Sequence, residues 1–95
     1  LFLSLSVEDY NKFYAQITLQ LIREAWNKFD GFVIDWSDIE QEKYAPYRYA
    51  GSGDLDAVNS SNWLGFESLI VFKSTERALQ FGTQFKELLK TAMGL

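Results

Sequence analysis

The sequence predicts an α+β domain in which two amphipathic helices, at about 7–28 and 75–93, pack on an antiparallel sheet of two or three strands. Three observations lead there. Apolar residues recur at three- and four-residue spacing near both ends of the chain, each run opened by a serine and closed by a glycine. Between these runs lie short aromatic or β-branched stretches, separated by clusters of Gly, Ser, Asp and Asn. The 95 residues suffice for one hydrophobic core and no second one, so 1–95 reads as a single domain.

The first helix starts at Val7. Ser6 is its N-cap, and Asp9 three residues on completes an acidic capping box. Val7, Tyr10, Phe13, Tyr14, Ile17, Leu21, Ala25 and Trp26 form one stripe, which is expected to be the buried face. Glu8, Lys12, Gln16, Gln20, Arg23 and Asn27 largely take the other side. Asp30-Gly31 ends the helix, because glycine accepts the left-handed conformation at low cost.

Tyr44–Ala50 is aromatic enough for a strand, but Pro46 has no N–H for a ladder and assigns it to a sheet edge. Gly51-Ser52-Gly53-Asp54 is a turn by composition, and Leu55–Val58 is a short third strand. Asn59–Asn62 makes the next turn, Gly65 marks a bulge, and Glu67–Phe72 is apolar enough for a strand buried on both faces. Ser74 caps the last helix, whose stripe is Ala78, Phe81, Phe85, Leu88, Leu89 and Ala92, and Gly94 stops it. Gly82 lies inside that stripe at a cost of about 1 kcal/mol relative to alanine. It is read as a point where an aromatic ring or the first helix approaches the backbone. With both helices on one sheet face, the other face is left partly open, carrying some of Tyr44, Tyr47, Tyr49, Trp63 and Phe66.

Two stretches carry a resemblance. Asp35-Trp36-Ser37-Asp38 leads to Glu42-Lys43-Tyr44-Ala45-Pro46-Tyr47, and Phe72-Lys73-Ser74-Thr75-Glu76-Arg77-Ala78 is followed by Phe81-Gly82-Thr83-Gln84-Phe85. Together they resemble small uncharacterised proteins common in gut Bacteroidetes genomes, often associated with phages or mobile elements. The resemblance covers roughly residues 17–89 and departs at Ala45 and Arg48, where the family tends to carry further aromatics. It implies a bacterial accessory protein inside the cell and supplies no mechanism.

Composition excludes more than it assigns. There is no cysteine, hence no disulfide framework, thiol nucleophile or thiolate metal site, and no histidine to serve as general base or metal ligand. Net charge is −4 and the pI about 4.6, the wrong sign for a phosphate backbone, so nucleic acid is not an expected partner. Residues 30–67 hold eight carboxylates against Lys43 and Arg48, whereas 73–95 carry a net charge of +2. No apolar run approaches the roughly 18–20 residues that span a bilayer, and the Leu1–Ser6 start lacks a basic leader and a cleavage site. The expectation is a cytoplasmic protein with no membrane partner, its Leu1 start reading as a processed or trimmed end.

Each cluster that suggests chemistry has a plainer explanation. Asp54, Asp56, Asn59 and Asn62 echo a calcium loop, but Val58, Asn59 and Gly65 stand where that loop needs an oxygen ligand, a glycine and a carboxylate. Asp35, Asp38, Glu40 and Glu42 would need a cleft to act as a paired-carboxylate catalyst. Gly51-Ser52-Gly53 lacks the lysine and following helix of a phosphate loop, and Ser74 beside Lys73 is a helix cap. No enzyme, metal or cofactor is expected. What remains is a set of rings with an acidic rim: Asp35, Trp36, Asp38, Tyr44, Tyr47 and Tyr49 form the candidate partner-binding site. The expected partner is a protein, a second copy of the chain included. That dimer would bring the acidic middle and the basic final helix together twice. The alternative is a sugar-binding domain that uses the aromatic sheet face.

Overall fold

In a computed structural model that describes residues 6–48, 54–59 and 69–94, Ser6 sits in extended backbone and its Oγ accepts the Asp9 N–H at 3.1 Å. The chain then runs as helix α1, Val7–Asp30. Gly31, at φ 67°, closes it: the Gly31 N–H reaches the Lys28 carbonyl and the Phe32 N–H the Asn27 carbonyl at 2.9 Å. Strands β1, Tyr44–Arg48, and β2, Leu55–Asn59, pair antiparallel with Tyr44 opposite Asn59 and Arg48 opposite Leu55. Helices α2, Thr75–Gln84, and α3, Lys86–Met93, follow. Of the described residues, 57% are helical and 15% strand, an α+β protein with three helices on a two-stranded antiparallel sheet.

Ser74 Oγ accepts the Arg77 N–H at 3.2 Å and starts α2, and Gly94, at φ 75°, ends α3. The expected single helix over 75–93 is broken at Phe85 (φ −108°, ψ 36°). The break lets the two halves take different partners: α2 lies across both strands, while α3 lies along α1. Both expected helical regions belong to this α+β packing: α2 contacts the strands directly, and α1 packs against α3 and ties to the 70–72 segment.

The expected strand over Glu67–Phe72 reduces, within the described residues, to one antiparallel bridge between Tyr44 and Phe72, with bonds of 3.0 and 2.8 Å. Pro46 supplies the reason. In an antiparallel ladder the next hydrogen-bonded pair along this side would join Pro46 to Ile70, and Pro46 has no N–H to give. The same proline is fully buried instead of lying on an open edge. Tyr49, the Gly51–Gly53 turn, Trp63, Gly65 and Phe66 lie outside the described residues.

Ala15 and Leu19 of α1 meet Ile70, Phe72, Ala78, Phe81, Leu89 and Ala92 in the core. Burying rings such as Phe72 and Phe81 contributes roughly 1.5–3 kcal/mol each. Trp26 joins the layers: its ring meets Phe81 edge-on at 5.2 Å and Phe72 and Phe85 at 6.0 Å each. The expected α1 stripe is the wrong face apart from Trp26. Val7, Tyr10, Phe13, Tyr14, Ile17 and Leu21 are exposed, and Ala15, Leu19, Ile22 and Trp26 turn inward with a buried Asn27. Gly82 is a close-approach point as expected, but its neighbours are Leu55 and Pro46 of the hairpin.

Candidate protein-interaction site

Residues 32–43 connect α1 to β1 with no strand of their own, so the loop's backbone polar groups need partners from its own side chains. Two aspartates provide turns. Asp35 Oδ1 accepts both the N–H and the hydroxyl of Ser37, and Asp38 Oδ1 accepts the Glu40 N–H at 2.9 Å. The Ser37 donors hold the Asp35 carboxyl below its ordinary value. Gln41 acts as a surrogate strand: its Oε1 accepts the Asp35 N–H at 2.7 Å, and its Nε2 donates to the Val33 carbonyl at 2.8 Å.

Under the loop lies Lys43, buried, its ammonium donating to the carbonyls of Asp38 (3.0 Å) and Gln41 (3.2 Å). The same Nζ stands 5.7 Å from the centre of the Trp36 ring. Trp36 is therefore held from below yet 55% exposed, with Val33 and Ile39 exposed on the same loop and Asp35, Asp38 and Glu40 around it. Beside Trp36 a groove of about 420 Å³ runs between the loop and the last turns of α1, lined among others by Lys28, Phe32, Val33 and Ile34.

Of the six predicted site residues, the fold gathers Asp35, Trp36 and Asp38 on one loop. The two described tyrosines stand apart. Tyr44 is half-buried, its backbone bound to Phe72 and its phenol donating to Glu42, which raises its pKa above the ordinary value. Tyr47 is half-buried opposite Asp56, and three residues along a strand puts it on the other face of the hairpin from Tyr44. Ala45, on Tyr47's face, is fully buried, so the expected open aromatic face is closed there. Tyr49 lies outside the described residues. Sequence reasoning missed Gln41 and Lys43, which carry no periodicity signal; Ile39, an isolated apolar residue between Asp38 and Glu40, was the readable hint.

Among the described residues no three acidic side chains come together as a metal cage, and no helix is long and apolar enough to cross a membrane. Scans against family models, curated proteins and solved structures each find no match to this chain.

Proposed function

We propose that the chain is a non-catalytic interaction module that binds a protein partner through the 33–39 loop. Trp36 is the anchor, Val33 and Ile39 extend the apolar contact, and Asp35 and Asp38 form a rim suited to a basic surface. The observation that carries this is the support beneath Trp36. A large exposed ring fixed on a buried lysine, in a loop braced by Gln41, offers contact area with little ordering cost on binding. The resemblance to Bacteroidetes accessory proteins belongs to the same proposal and suits a module that works through partners. Sugar binding through the sheet finds no support, because Ala45 is fully buried on one face and α2 covers the other.

The test compares wild type with Trp36→Ala in pull-downs from a bacterial lysate, followed by calorimetry on the partner recovered. Trp36→Ala should weaken binding by about 2 kcal/mol or more, roughly thirtyfold, with the melting temperature little changed. Equal capture by the variant, or a glycan-array signal with no protein captured, would refute the proposal.

A further inference from the structure

Helix α1 is apolar on two opposite faces, and among the described residues only one of them is covered. Val7, Tyr10, Tyr14, Ile17 and Leu21 follow one another at spacings of three and four residues, the seam of a two-stranded coiled coil, with Phe13 beside it. These six side chains are 48–76% exposed. With whole side chains of order 150–250 Å², they present on the order of 700 Å² from one helix, close to the ~800 Å² per partner of a standard interface. Such a patch exceeds the few hundred Å² ordinary for a monomer. Thr18, at the edge of the seam, donates its hydroxyl to the Tyr14 carbonyl at 2.8 Å and so adds no unmet polar group. Tyr10 and Tyr14 stack on each other at 6.4 Å, already ordered for contact.

We infer that this seam pairs antiparallel with the seam of a second copy of the chain. Two features select that occupant. The seam is self-complementary: a two-fold axis between Tyr14 and Ile17 sets Tyr14 against Ile17 of the other copy and Tyr10 against Leu21, so every inner layer is apolar. The helix dipoles select the direction: antiparallel helices oppose their dipoles, whereas parallel ones would align them. The pairing uses α1 alone and leaves the Trp36 loop free.

Sedimentation equilibrium at micromolar concentrations should give twice the 11.0 kDa chain mass. Ile17→Asp should raise the dimer dissociation constant at least about tenfold while the helical circular dichroism is retained, because Ile17 is 59% exposed and stands outside the core cluster. Tyr14→Ser serves as the milder variant should Ile17→Asp lose helix, and Trp36→Ala should leave the dimer intact. The chain has no cysteine, so direction is read by cross-linking: Asn11→Cys should form a disulfide with Thr18→Cys and not with itself. A wild-type monomer at 100-fold higher concentration than the assay, a dimer that survives the seam variants, or self-linking of Asn11→Cys would overturn the inference.

Discussion

A methyl group added to Gly82 would stand 2.7 Å from Leu55 Cδ1 and 3.0 Å from Pro46 Cβ. Two effects then oppose each other. Alanine gains up to about 1 kcal/mol of helix propensity, and overpacking costs about 1–3 kcal/mol. Leu55 can turn its terminal methyl aside, but Pro46 is locked in a ring and pinned in β1, so the steric cost wins. Gly82→Ala should destabilise by about 1 kcal/mol in urea unfolding; a gain in stability would show that the hairpin slides freely over α2. The closeness was legible in the sequence, since a glycine inside an apolar helical stripe has few other uses. The identity of the neighbour was not, because spacing along a helix says nothing about which element arrives. Arg48 makes the same point. A strand arginine reads as exposed, yet this one is buried, with Nη2 donating to the Gly82 carbonyl at 3.2 Å.

The outer caps and ends of the helical regions were legible at the level of the element, unlike the break at Phe85: Ser6, Gly31, Ser74 and Gly94 act as their residue types dictate. Which face of α1 is buried was not. Periodicity reports that a face is apolar, and α1 has two such faces, of which the one with larger side chains looks the better core. The opposing α3 decides otherwise. It has only eight residues, it approaches closely enough for Gln16 Nε2 to donate to the Ala92 carbonyl at 2.9 Å, and such an approach suits Ala15 and Leu19 better than tyrosines. The two faces therefore differ in stability effect. Leu19→Ala should cost about 2–5 kcal/mol. Leu21→Ala should cost no more than about 0.5 kcal/mol. Both are to be measured by urea unfolding at concentrations too low for self-association. Equal costs would mean that the seam is structural. The site loop was half legible: Asp35 and Asp38 signal turns by type, whereas the brace by Gln41 and the support by Lys43 depend on a folded path that no local pattern records.

The α1–α3 layer and the α2–hairpin layer share one apolar core, and one further tie between them is ionic. Asp30, in the last turn of α1, has its side chain only 3% exposed and accepts two bonds from Arg77 of α2: Nε to Oδ2 at 2.9 Å and Nη2 to Oδ1 at 2.7 Å. Arg77 is 31% exposed, lies 5.6 Å from the centre of the Trp26 ring and is held above its ordinary pKa, first by the hydrogen bonds it donates to Asp30. Asn27 adds a second tie, donating to the Val71 carbonyl at 2.8 Å. The two partners of the ion pair are unequal in access to water, and that inequality orders their variants. Asp30→Asn leaves a guanidinium that water can reach, so the loss is confined to the pair itself. Arg77→Ala strands a nearly inaccessible carboxylate whose remaining cation is Lys73 at 3.9 Å, and a buried charge without a partner is the costlier state. Arg77→Ala should therefore lower the unfolding midpoint more than Asp30→Asn. Adding Asp30→Asn to Arg77→Ala should restore part of the loss, since the amide no longer carries the charge. Each variant should still unfold in one transition by circular dichroism, because Trp26 ties both layers to the same aromatic cluster. The reverse order, or two separate transitions, would mean that the layers hold together without this pair or fold independently.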